Sequence, residues 1–353
     1  MPGPSKENLE YFKRKSFIAK HATLKECVLS AHEDTCSDEI INAHSLQRMG
    51  VLSILESEVN GNQCVYATTE KQRSADGISL ELRPIGKKVA STFFGFCKDH
   101  DGALFRPIEE NTEVLSIDSD SHCFLLSFRA FALSYHRKKE DVNLLKSEDQ
   151  KVIEQIKIHY RNNDLGTQLA MSELGLNDLK YYYDKLAEYL FNEDYSEVDF
   201  FAYEVPHTVP FAVSSLTSPP FLFNGKEMNV SGDPEFKYSD IMTSVIPLKS
   251  RSLVVLAALK SDPLGSVYLN QLNDMPSIPL EKSLTWHVLT NTENIFFSPK
   301  WFDNLNQKDQ QKILELNNYS ADINTPYLKY DSKSFKINLF DSKHALVQNN
   351  QND

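Results

Sequence analysis

Six residues in the first third of the chain have side chains that could do chemistry together: Cys27, Cys36, His44, Cys97, His100 and Asp101. Zinc takes four ligands in a tetrahedron, and two close pairs brought together by folding are a common way to supply them. Cys97 and His100 form a C-x-x-H pair just after a glycine, preceded by an aromatic-rich run and followed by a short amphipathic segment at 104–108. Cys27 and Cys36, in CVLSAHEDTC, could close the other half, and His32 between them could replace either. The plain alternative is a set of buried thiols, since free Cys is among the most buried residue types. Against it, Cys27 and Cys36 stand in polar surroundings and share one zone with Cys97 and two histidines. Cys64, within QCVYA, and Cys123, on an aromatic stretch, read as ordinary interior residues. The expected metal ligands are therefore Cys27, Cys36, Cys97 and His100, holding a structural zinc.

The order of a Cys pair, then Ala43-His44-Ser45, then GFC-x-x-HD resembles the treble-clef arrangement of the HNH nuclease superfamily in its zinc-stabilised form. The phrases IINAHSLQR and ASTFFGFCKDHDGALFRPIE are also similar to a widespread, uncharacterised set of bacterial proteins. The HNH resemblance covers residues 27–108 at most. It implies His44 as general base, Asp101 as the side chain holding a catalytic Mg or Mn ion, and Asn60 or Asn62 as the supporting central residue. The implied function is metal-dependent endonuclease hydrolysis of nucleic-acid phosphodiesters, in phage defence by analogy with the family. This chain departs from the family pattern in the wide Cys27–Cys36 gap, the long stretch from His44 to Cys97, and Asp in place of the final His.

The chemistry is coherent in itself. A neutral His can take a proton from water near pH 7, while a divalent ion polarises the scissile phosphate. Asp is a hard oxygen ligand suited to Mg or Mn. Equally, His44 could be a fourth zinc ligand or bond a neighbouring strand, and Asp101 could cap the helix that follows. The competing function class is a non-catalytic, zinc-stabilised protein-interaction or nucleic-acid-binding module. No GxxxxGK[ST] loop, GxGxxG turn, GxSxG elbow or HExxH helix is present, so nucleotide hydrolysis, dinucleotide binding, common serine hydrolysis and zincin proteolysis have no support.

The elements that must position these residues divide the chain into an expected zinc module at 1–110, a helical segment at 111–192, an α+β domain at 193–345 and a disordered tail at 346–353. The first begins with a basic amphipathic helix that turns Phe12, Phe17 and Ile18 inward. A second helix is expected at 46–56 with Ser45 as its N-cap, and strands at 63–68 and 78–84. In the helical segment, Phe124, Phe128, Phe131 and Tyr135 recur at helical spacing and read as core. Arg137-Lys138-Lys139 reads as that helix's end, with further helices at 148–160 and 168–189 broken near 162–166. Thereafter VDFFAYEV, TVPFAVSS and LVVLAAL read as strands, the Ser214-Ser215 and Ser218 stretch as a turn, TENIFFSPKWF either as exposed at Asn294 and Trp301 or equally as a strand ending before a helix that Pro299 starts, and 302–316 as a helix. The whole reads as α+β, with a treble-clef-like zinc module, a helical middle and a C-terminal mixed sheet with helices.

The chain has 353 residues, five cysteines and a formal charge of −12. An odd, sparse cysteine count argues against a disulfide-stapled secreted scaffold, and the charged N-terminus lacks a signal's apolar stretch. A cytoplasmic location is expected, and no apolar run is long enough for a membrane span. The acidic total argues against a uniformly nucleic-acid-binding surface. Lys6, Lys13, Arg14, Lys15, Lys20 and Lys25 nevertheless make a local basic segment that could meet DNA or RNA. A protein partner is the other expectation.

Overall fold

A computed structural model of the chain describes residues 6–32, 36–74, 77–159, 164–230, 236–318 and 328–346. Its architecture is mixed helix and sheet. A two-stranded sheet pairs β1 (Ile40–His44) with β5 (Thr92–Cys97) antiparallel, joining Ile40 to Cys97 and His44 to Thr92. Between them in sequence lie a π-helical turn (Arg48–Leu52), the short α2 (Ser53–Leu55), β2 (Ser57–Val59), β3 (Asn62–Ser74) and β4 (Gly77–Gly86). These account for the long stretch from His44 to Cys97. Asn60 and Gly61, with φ of 52° and 78°, turn β2 into β3, the left-handed pair that a two-residue hairpin requires.

The large sheet runs β2-β3-β10-β7-β8-β9-β6, with β4 on the outer side of β3. Its remaining strands are β6 (Val198–Val205), β7 (Phe211–Thr217), β8 (Ile241–Pro247), β9 (Ser252–Leu259) and β10 (Ile295–Phe297). Every pairing is antiparallel. Through the pairing of Phe296 with Ala67, it joins strands from both sides of the boundaries drawn at 110 and 192. Side chains alternate along β9 because successive residues of a strand face opposite ways. Leu253, Val255, Ala257 and Leu259 enter one core, and Val254, Leu256 and Ala258 the other.

The first core is built around α5 (Asp120–Leu145), which lies across β7, β8 and β9 and against α7 (Leu165–Asn192). The aromatic stripe is interior as expected: Phe124, Phe128 and Phe131 are fully buried and Tyr135 stacks on Tyr183. The helix runs on past Arg137-Lys138-Lys139, so that cluster lies within a helix instead of ending one. Lys139 is held by Glu26 at 2.7 Å. The second core is covered by α8 (Pro263–Asn273), α9 (Ser277–Asn291), α10 (Pro299–Asp303) and α11 (Gln307–Asn318). The single helix expected at 302–316 is thus two.

Several other expectations change. On α1 (Lys6–Ala22) the buried residues are Tyr11 and Ile18, with Phe12 and Phe17 half-buried. Ile18 meets Val152 and Ile156 of α6 (Gln150–His159). Ser45 caps nothing: it is buried, its N–H donates to the Ser91 carbonyl at 2.8 Å, and its hydroxyl accepts from Asn294 Nδ2 at 3.0 Å. Asn294 also donates to the Ser214 carbonyl at 2.8 Å, so it is a buried tie between β1's end and β7, not an exposed residue. Trp301 is buried too. Ser214 and Ser215 lie inside β7, while Ser218 just beyond it donates to Asp240. The helix break at 162–166 falls partly outside the described residues, as do Tyr160 and all but Leu346 of the expected disordered tail. Asp164 N-caps α7 by accepting from the Gly166 and Thr167 N–H groups. No helix among the described residues is long and apolar enough to cross a membrane.

Candidate metal centre and the polar cluster beside it

The candidate metal ligands are positioned by two backbone devices. Residues 26–28 lie alongside β5, with the Glu26 N–H donating to the Phe94 carbonyl and the Val28 N–H to Gly95 at 2.7 Å. This sets Cys27 next to the strand whose last residue is Cys97. There is no room for a side chain at position 95, where a Cβ would stand 2.3 Å from the Phe93 ring and 3.4 Å from His136. At the far end β5 passes directly into α3 (Lys98–Leu104), so His100 and Asp101 fall in its first turn. The expected amphipathic segment is this helix and α4 (Arg106–Glu109). Tyr183 of α7 fixes the knuckle from the other side, donating to the Val28 carbonyl at 2.5 Å.

As a result the ligand atoms of Cys27, Cys36, Cys97 and His100 all lie within 4.8 Å of one another. The His100 Nδ1 stands 3.4 Å from the Cys27 sulfur, 3.5 Å from Cys36 and 3.3 Å from Cys97. A tetrahedral zinc with about 2.3 Å to sulfur and about 2.0 Å to nitrogen would hold those atoms about 3.5 Å apart. The donor set and its spacing fit a metal ion. Four protein ligands leave no open position, which is the pattern of a structural site. His32 is not among them: it leans on the rings of Tyr183 and Phe191. Nor is His44.

The sulfurs sit in contrasting electrostatic settings. Burial pushes the Cys27 thiol up to about 12, against the N–H groups of Cys97 and Leu29. At Cys97 burial also raises the value, but the His100 N–H and the hydroxyl and N–H of Ser37 outweigh it and bring the thiol to about 7. N–H groups directed at sulfur favour the thiolate a metal requires.

Beside the centre lies a second constellation. His44 ends β1 half-buried, with the Lys87 backbone close enough to act on its titration. Its Nε2 is buried without a hydrogen-bond partner. Burial first, then the charges of Arg48 and Arg129, lower its pKa despite the Lys87 bond and Glu109. The imidazole is neutral near pH 7. Asp101 on α3 has a buried Oδ1, also without a hydrogen bond, and burial raises its pKa against the pull of Arg129.

Arg129 of α5 organises this cluster. Its guanidinium lies over the Phe105 ring at 4.0 Å, and its Nη2 is 2.6 Å from Glu109 Oε1 and 3.8 Å from Asp101 Oδ1. Gln47 closes the edge by donating to the Glu109 carbonyl at 2.7 Å. His44 and Asp101 are thus set around the same ion pair. Asn60 and Asn62 instead serve the β2–β3 turn, where Asn62 Nδ2 donates to the Asn60 carbonyl at 3.3 Å. Sequence reasoning passed over Arg129 and Glu109. The signal was an arginine inside FLLSFRAFALSY, because a charge in an apolar helix face needs a partner.

Among the described residues, the three cysteines with His100 are the one group of ligand type that converges closely enough to hold an ion. No protein-family description, curated protein or solved structure matches the chain.

Proposed function

We propose that the chain is a metal-dependent, HNH-like endonuclease that hydrolyses nucleic-acid phosphodiesters, built on a structural zinc held by Cys27, Cys36, Cys97 and His100. The observation that carries this reading is His44: an imidazole whose pKa burial lowers, with a buried and unpartnered Nε2, in the field of the same Arg129–Glu109 pair that acts on the Asp101 carboxylate. The order of the parts supports it, since a ligand-bearing turn, two antiparallel strands and a helix carrying His100 in its first turn are what a treble clef comprises.

In this reading His44 Nε2 takes the proton from the attacking water. Asp101 is the side chain that would hold a catalytic Mg or Mn, whose chemistry is to polarise the phosphate and stabilise the leaving oxygen. With no second cluster of three ligands among the described residues, that ion would draw most of its shell from water and phosphate oxygens, as small hard cations do. Arg129 is engaged chiefly by Glu109, so it orients Asp101 without neutralising it fully. The exposed Lys13 and Lys20 of α1 are candidate contacts to the nucleic-acid backbone.

The test is a plasmid-nicking assay with added Mg or Mn, comparing the wild type with His44→Ala. The variant should lose at least about a hundredfold in rate, the scale of a general base. A specific observation favours a second reading, a zinc-stabilised binding module: Nε2 of His44 is closed to solvent, and a cation already stands 3.8 Å from Asp101. That reading prevails if zinc is present and the wild type cuts under no metal.

A further inference from the structure

A cleft lies far along the chain from the metal centre, between α11 and the segment 334–344, with a volume of about 480 Å³. That lies within the range of about 300–1,000 Å³ typical of small-molecule sites. Its floor is apolar, formed by the buried Trp301, Ile313, Phe335 and Leu339. Its rim is cationic. Lys308, Lys312, Lys336 and Lys343 border it with His344, against the carboxylates Asp309 and Glu315. In a chain of net charge −12 this is a local reversal of sign.

The rim charges are only lightly spent. Lys312 reaches Glu315 at 3.2 Å, Lys343 lies 3.7 Å from Asp341, and Lys336 donates to the Lys333 carbonyl at 2.5 Å. Exposed pairs of this kind hold their partners weakly. His344 has a fixed orientation: its Nδ1 accepts from the Trp301 indole N–H at 3.3 Å, and the two rings meet edge to face. The proton is therefore on Nε2, which can donate to a bound oxyanion.

We propose that this cleft binds a nucleotide, with its phosphates on the lysine rim and the base against the floor of Trp301 and Phe335. An apolar floor under a ring of ammonium groups and one imidazole donor suits a ligand with a flat, weakly polar body and a compact anionic end. Lysine ammonium groups act as point charges toward phosphate, and aromatic rings accept any base by its face. The proposal stands independently of the nuclease reading.

The chain has two tryptophans, and only Trp301 is in the cleft, so a Trp286→Phe protein reports on it through its single indole. AMP and ATP are titrated into this protein while its emission is followed, with inorganic phosphate and dodecanoate as separate arms. A saturable change with the nucleotides is expected, with ATP tighter than AMP and phosphate alone silent. Lys308→Glu combined with Lys343→Glu, both at exposed positions, should weaken binding about ten-fold or more while leaving the circular dichroism spectrum unchanged. The proposal is overturned if millimolar nucleotide produces no saturable change, if the charge-reversed protein binds equally well, or if dodecanoate binds and the nucleotides do not.

Discussion

At the scale of single residues, the features that matter are groups whose polar atoms are buried with incomplete partnering. Arg129 is the hub, almost wholly buried and holding two carboxylates from α3 and α4. Removing one member of such a group leaves the others buried and uncompensated, a loss of about 3–5 kcal/mol. We expect Arg129→Leu to lower the unfolding free energy by that order in urea titration. A change below about 1 kcal/mol would mean that water already screens the cluster. The convergence of Cys27, Cys36, Cys97 and His100 was legible from types and spacing, because a C-x-x-H pair and a second Cys pair share one polar zone. His44 and Asp101 could be singled out, yet not their relation to each other, since the helix that supplies Arg129 is a separate element and nothing local in sequence joins them. Ser45 misled for a related reason: a serine before an apolar run satisfies the local rule for a cap, but Ser91 and Asn294 compete for it from far along the chain.

At the scale of elements, a buried acidic network fastens α7 to the sheet. Tyr182 donates to Asp262 Oδ2 at 2.6 Å, Ser239 donates to Asp262 Oδ1 at 2.6 Å, and Ser218 donates to Asp240 at 2.5 Å. Asp262 also N-caps α8. Burial, reinforced by the charges of Asp262 and Asp178 and opposed by Ser218, raises the Asp240 carboxyl to about 7. Its folded-state pKa thus exceeds its unfolded value, so the folded chain binds the extra proton. This stability is fully present below the unfolded value of about 4 and is lost as pH rises toward 7. The melting temperature should accordingly fall between about pH 4 and pH 7 through this group, and Asp240→Asn should flatten that slope. An unchanged slope in the variant would assign the pH dependence elsewhere. Elements with a clean period, such as α5 and β9, were legible in advance. Of those missed, β8 and α9 are buried on several sides and so lack the polar alternation that marks a boundary, whereas α8 buries a single face through Gly265, Tyr268, Leu269 and Leu272. The Asp262-Pro263 start of α8 was the available cue.

For the whole molecule, the candidate metal centre and the large sheet share one hydrophobic core around α5. The β1–β5 pair is short, and two strands alone are marginal in water. It persists because a clasp at one end, α5 beneath and the Asn294 tie at the other end all bear on it. The mixed α+β character was readable from grouped patterns, whereas the run of β3 into a sheet with β10 was not, because that pairing spans most of the chain. Long-range pairing leaves no local trace in sequence. The most direct measurement is elemental analysis of freshly purified protein, alongside Cys97→Ser. One zinc per chain in the wild type, falling to background in the variant together with a lower melting temperature, is the predicted result. A folded wild-type chain that carries no metal and takes none up from zinc-containing buffer would contradict the account.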